Sequence, residues 1–322
     1  MSKFLLYLIL FLSLLIAGFS CSEKGSRVQD NQLRQIERLW QYNNPKESES
    51  RFHAFLDSLK SSSDKYDHDF AAEILTQIAR AQGLQGKFKQ GLESIYKAES
   101  EIKSTSGRGW VRILMEKGRL HNSSGNGDKA LPLFLEAWQL ASQKRFDYLA
   151  IDAAHMLGIV SEPSQQNEWN LKALALAESS TMSEAKNWLG PLYNNIGWSY
   201  HDNGEYEKAL EFFEKGESWR KQMGESESLR IARWTVGRTL RSLDKIDEAL
   251  AVQLNLEAEI DSSGANPDGY VYEELGEIYL LKGKPDKAAE YFSKAYELLS
   301  QDEWLRANQP ERLERLKSLS DQ

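Results

Sequence analysis

Between residue 72 and about residue 302 the chain reads as helix, with no β-type alternation, and small residues interrupt its apolar positions on a fixed schedule. Ala79, Gly118, Gly158, Gly197, Gly237 and Gly276 follow one another at intervals of 39 or 40 residues. Twelve residues after each stand Gly91, Ala130, Asn170, Ala209, Ala249 and Ala288, and seven further on Ala98, Ala137, Ala177, Gly216, Leu256 and Ala295. Between those two small positions lie Ile95, Phe134, Leu174, Phe213, Gln253 and Phe292. Self-similarity at one period predicts an array of six like units. Two antiparallel helices approach to about 8–10 Å only where small side chains let the ridges of one sink into the grooves of the other. Gly86, Gly125, Gly204 and Gly283 fall where the first helix of a unit should turn, and glycine accepts the left-handed conformation that ends a helix. Two units depart from the pattern: Pro163 shortens the first helix of the unit from about Ile151, where Asn170 replaces alanine, and Gln253 takes the aromatic place in the unit from Arg230.

The best-formed units are "YNNIGWSYHDNGEYEKALEFFEKG", from Tyr193, and "YEELGEIYLLKGKPDKAAEYFSKA", from Tyr272 to Ala295. They resemble the tetratricopeptide repeat, W-x2-L-G-x2-Y followed by A-x3-F-x2-A, with Tyr193, Ile196, Gly197, Tyr200, Ala209, Phe213 and Gly216 in its signature places. The period near 40, against 34 in the standard repeat, is similar to the longer-helix variety of peptide-sensing regulators and motor adaptor chains. The resemblance implies an all-α fold, a right-handed α-solenoid of helix–turn–helix repeats over 72–302, whose first helices line a concave groove. Residues 31–71 then form a degenerate N-terminal helical unit and 303–322 a C-terminal capping helix, since a one-dimensional stack needs polar ends.

The N-terminus carries another signal. Lys3 precedes an unbroken apolar run from Phe4 to Phe19, then Ser20 and Cys21, the single cysteine of the chain. A charged start, a short apolar segment and small residues at its end make 1–20 a secretory signal peptide. With no partner for a disulfide, Cys21 at the expected cleavage site resembles the lipidated cysteine of bacterial lipoproteins, although Gly18 and Phe19 depart from the usual lipobox. Two or three acyl chains on one residue give stable anchoring, with 21–30 as a polar tether. By resemblance to Gram-negative sorting rules, Ser22 rather than Asp after the cysteine points to the outer membrane, facing the periplasm or the cell surface.

Composition removes several functions. Forty-eight acidic residues against 40 basic leave a net charge of −8, which argues against a nucleic-acid partner. The five histidines have no zinc-site spacing, and no phosphate-binding loop, nucleophile elbow or dinucleotide fingerprint occurs, so no metal, cofactor or catalytic residue is expected. The acids of "DKYDHD", Asp64 to Asp69, read as a turn capping the helix near Phe70.

What remains is the surface. On the repeat numbering Asn194, Asn195, Trp198, Trp234, Arg238 and Arg241 fall together in the groove where the fourth and fifth units meet. Arginine beside tryptophan offers cation–π stacking and bidentate carboxylate binding, and asparagine can hold an extended backbone. The same residues could instead pack against the next repeat and pair with neighbouring glutamates. The reading that follows is a lipid-anchored scaffold of the bacterial cell envelope, not an enzyme, binding a protein or peptide partner. The alternative is a glycan- or small-molecule-binding lipoprotein of an uptake system, with the tryptophans stacked on sugar rings, although the even repeat spacing leaves little room for a sugar-site insertion.

Overall fold

The computed structural model describes residues 31–61 and 66–321. Among the described residues there are helices and turns and no strand. The chain divides after Ser161 into two compact units. Unit 1 holds α1 (31–39), α2 (Pro45–Ser61), α3 (His68–Leu84), α4 (Phe88–Glu101), α5 (Arg108–Ser123), α6 (Gly127–Lys144) and α7 (Asp147–Val160). Unit 2 holds α8 (Pro163–Ser179), α9 (Ser183–Lys186), α10 (Leu189–Asp202), α11 (Tyr206–Met223), α12 (Ser226–Ser242) and α13 (Ile246–Ser263). It continues through α14 (Gly269–Leu281), α15 (Pro285–Leu299), α16 (Glu303–Asn308) and α17 (Pro310–Ser320). In both, consecutive helices pair as hairpins and the hairpins stack.

The repeat pattern acts through one recurring contact. A Cβ added at Gly118, Gly197 or Gly276 would stand 2.6, 2.5 or 2.7 Å from the ring of Phe134, Phe213 or Phe292 on the second helix of the same hairpin. The glycines therefore admit fully buried phenylalanine rings against the backbone, which sets the separation of the paired helices. In the α12–α13 hairpin the buried amide of Gln253 fills that place beside Gly237, with its Oε1 lacking a partner. The hairpin turns need a left-handed residue; Gly204 supplies it between α10 and α11 at φ 76°. Between α12 and α13 Asp244 does so at φ 60°, a non-glycine turn that the glycine pattern does not mark.

Local signals place the ends. Asp67 caps α3, accepting from the Phe70 amide at 3.0 Å, and Asp302 caps α16 through the Trp304 and Leu305 amides. The stretch from 303, expected as a single capping helix, is two helices. Pro310 forces Gln309 out of the helical region, to φ −137° and ψ 48°, and opens α17 at its first turn.

Candidate functional site

The first helices of successive hairpins in unit 2, α10, α12 and α14, and then α17, share one face. Trp198 on α10, Trp234 on α12 and Tyr270 on α14 form a staircase along it, with ring centroids 6.1 and 6.0 Å apart. The Trp234 indole donates Nε1–H to the Tyr270 carbonyl oxygen at 3.1 Å, and Trp198 rests edge-on against Phe213 at 5.3 Å. Around these rings runs a lattice of arginines and glutamates. Glu274, only 2% exposed, accepts from Arg241 Nε at 2.7 Å and Nη2 at 2.9 Å, and also from Arg238 Nη1. Glu273 takes a bidentate pair from Arg312, and Glu277 another from Arg315. The Arg238 guanidinium lies 6.0 Å from the Trp234 ring and that of Arg312 5.3 Å from the Tyr270 ring. Together these ten residues line a cavity of about 510 Å³.

The electrostatics follow from this crowding. Burial opposes the charge on Arg241 and Arg312, but the hydrogen bonds they donate to Glu274 and Glu273, together with the negative charge of those carboxylates, outweigh it and hold both above their ordinary values. Burial raises the Tyr270 phenol, against Arg312 and with Asp302. His201, whose Nε2 lies 3.0 Å from Ser242 Oγ, is pushed below 6.5 by burial and then by Arg238. The site is acidic and basic at once, with four guanidinium groups facing three carboxylates.

The six residues singled out from the sequence are not brought to one place. Trp198, Trp234, Arg238 and Arg241 line the cavity just described. Asn194 and Asn195 line a second, of about 260 Å³, with Pro191, Arg220, Ile231 and Thr235. The reason is local: they precede Trp198 by one turn of α10, and the Trp198 ring, packed on Trp234 and Phe213, fills the space between. Arg238 and Arg241 share the single carboxylate of Glu274, the pairing weighed above as their alternative role. Sequence reasoning left Tyr270, Glu273, Glu274, Glu277, Arg312 and Arg315 out of the site. The period itself could have found two of them, because Arg312 lies 39 residues beyond Glu273, where a seventh unit would present its groove position.

Unit 1 carries a deeper version of the same lattice. Glu73 on α3 accepts from Arg108 Nε at 2.8 and 3.1 Å and lies 3.2 Å from Arg112 Nε. Glu116 takes Arg119 and, at 3.5 Å, Arg80; Arg119 continues to Asp152 on α7. Burial would raise the Asp152 carboxyl, but Arg119 and Arg80 hold it below its ordinary value.

Cys21 lies outside the described residues. Among the described residues no helix is long and apolar enough to cross a membrane, and no group of three or more His, Cys, Asp or Glu could hold a metal ion.

Residues 190–223 and 269–302 each match a family model described as tetratricopeptide repeat. No curated protein sequence matches the chain. Among solved structures, similarity extends to a signal-transduction ATPase with numerous domains, with a tetratricopeptide repeat sensor, from Pyrococcus horikoshii. It is 17% identical with a TM-score of 0.67, over 90% of this chain but 44% of that one, so the chain spans less than half its length. The apo form of RapI gives a TM-score of 0.69 at 13% identity, over 86% of this chain and 77% of that one. A Rap protein complexed with Competence and Sporulation Factor gives 0.53 at 15%, over 86% and 76%.

Proposed function

Because the chain is built of tetratricopeptide repeats, a scaffold suited to protein binding and generally without catalysis, we propose that it is an adaptor that captures a segment of a protein partner on the α10–α12–α14–α17 face of unit 2. The observation that carries this reading is the aromatic and arginine-lined cavity of about 510 Å³. Here Arg238, its side chain one-third exposed, stands beside the Trp234 indole, and tryptophan, tyrosine and arginine are the residues most enriched where binding energy concentrates. The Rap protein complexed with Competence and Sporulation Factor is an instance of this fold holding a partner. The finer part of the proposal is the place of action. Lys3, the apolar run to Phe19 and Cys21 support lipid anchoring in a bacterial envelope, with the outer membrane favoured by Ser22.

The test is a photo-crosslinking amino acid at position 198, introduced into the full chain in its native envelope. One partner segment should be recovered by mass spectrometry and lost when Arg238→Ala and Trp234→Ala are combined in a variant of unchanged melting temperature. A glycan array that lights up while no protein segment crosslinks would overturn the adaptor reading in favour of a sugar receptor. For the anchor, Cys21→Ser should abolish incorporation of labelled palmitate; labelling that persists would refute it.

A further inference from the structure

Three cavities of unit 2 meet on α12. The arginine-lined one shares Trp234 and Tyr270 with a larger cavity of about 780 Å³, and that one shares Ile231 with the asparagine-lined cavity. Ile231, 53% exposed, stands where the larger cavity meets the asparagine-lined one, and Trp234 where it meets the arginine-lined one, so the floor of α12 between them is apolar.

The two ends differ in sign. The larger cavity carries Glu227, Asp268 and Asp302 against Arg230 alone. Asp268 and Asp302 each use Oδ1 to cap a helix, and among the described residues no protein donor reaches the second oxygen of either. At the other end Glu274 is already held twice by Arg241, and Arg238 gives it one N–H while its other donors meet no acceptor among the described residues. The surplus positive charge of that lattice therefore sits on Arg238, beside Trp234.

We infer that the groove is polarised and takes a zwitterionic extended segment: a basic side chain at the Glu227–Asp268–Asp302 end, an apolar or aromatic one over Ile231 and Trp234, and an acidic one at Arg238. The inference rests on the reading of this face as a partner site and adds the chemistry of the partner. Charge complementarity fixes the two ends, because each carries an excess of one sign, three acids to one arginine at one and four arginines to three glutamates at the other. Glu227 and Arg238 are eleven residues apart on α12, about 16 Å along the helix axis. An extended chain covers that in about five residues.

The test uses the full chain and fluorescein-labelled synthetic nonapeptides with lysine and glutamate five positions apart around Phe and Leu, in both orders. Matched peptides carry Lys→Gln, Glu→Gln or both changes. Binding is read by anisotropy. At least one zwitterionic order should bind about tenfold more tightly than its uncharged counterpart. Asp268→Asn with Asp302→Asn, which keeps both caps, should remove the advantage of lysine and leave that of glutamate. Arg238→Gln should do the reverse. Uncharged peptides binding as tightly as zwitterionic ones, or variants that ignore the peptide charge, would overturn the polarity and leave segment binding standing. If no nonapeptide of any charge binds at up to about 1 mM, the partner-site reading of this face falls and the polarity with it.

Discussion

Units 1 and 2 knit their first helices together with the same chemistry at different depths. In unit 1 two arginines of α5 are submerged, Arg108 and Arg112 at 7% and 6% exposed with Glu73 between them at 4%, while the side chains of Arg119 and Arg80 are 16% and 32% exposed. In unit 2 the carboxylates are also buried, but their arginines reach outward, with the Arg315 side chain 50% exposed. Aromatic rings line the opening in unit 2, whereas the Arg80–Glu116–Arg119 cavity of unit 1 is walled by Leu84, Leu120 and Met156. Both lattices set two arginines on one carboxylate and an arginine over an indole, Arg80 over Trp40 in unit 1 and Arg238 over Trp234 in unit 2; the face proposed for a partner is the one whose opening is lined by aromatic rings. What separates them is the aromatic lining of the opening in unit 2 and the submerged Arg108–Glu73–Arg112 cluster of unit 1.

The sharpest way to break this comparison is to remove one carboxylate from each lattice. Glu73→Gln removes the buried carboxylate that Arg108 and Arg112 share, so unit 1 should lose about 3–5 kcal/mol in urea unfolding. Glu277→Gln frees Arg315 into water and should cost under about 1 kcal/mol. Equal losses would mean that the two lattices do the same work.

A feature the units share gives the next effect. Gly118→Ala in unit 1 and Gly197→Ala in unit 2 each drive a Cβ into a buried phenylalanine ring, at 2.6 and 2.5 Å, and rigid rings give way poorly. Each should cost about 1–3 kcal/mol, equally within error, by chemical denaturation. A silent substitution in one unit would show that its hairpin is held by something other than the glycine–ring contact.

These glycines also show what the sequence made legible. The period exposed the contact between each small residue and its ring because packing two helices closely admits few residue types there, so the array and its hairpins could be read without coordinates. The lattice could not. Glu273, Glu274 and Arg312 satisfy no packing rule, and many residues are tolerated at their places on a repeat. Their meaning arises only when α12, α14 and α17 come side by side. The separation of Asn194 from Trp198 was hidden for a similar reason: both lie on the groove side of α10, and only the seating of the Trp198 ring on Phe213 puts them in different cavities.

Unit 2 also contains the one break in the ring contact that the sequence pattern marks with a polar residue. Gln253 is fully buried where a phenylalanine stands in neighbouring hairpins, with Nε2 3.3 Å from the Trp234 carbonyl and Oε1 unsatisfied. Gln253→Met keeps the shape and removes the orphaned acceptor, and should raise stability by about 1 kcal/mol in thermal unfolding. A loss instead would mean that the hydrogen bond to Trp234 fixes the indole, and partner binding at the adjoining cavity should then fall as well.

The smallest effect is a pH dependence that tells the two units apart by the group responsible. His201 in unit 2 is held below 6.5 by burial and then by Arg238. Its folded pKa lies below the unfolded value, so protons favour the unfolded chain. Its contribution is complete above about pH 6.5 and is lost as pH falls from there toward the folded pKa. Asp152 in unit 1 is also depressed, but from 3.8, so its contribution persists through this range and is lost only in stronger acid. His121 in unit 1, lowered by burial and then by Lys129, acts in the same window as His201 and must be controlled for. In a His121→Gln background, melting temperature should still decline modestly between pH 7 and pH 5, and His201→Gln should flatten the decline. A decline that survives both substitutions would move its origin away from His201 and the Arg238 end of the cavity.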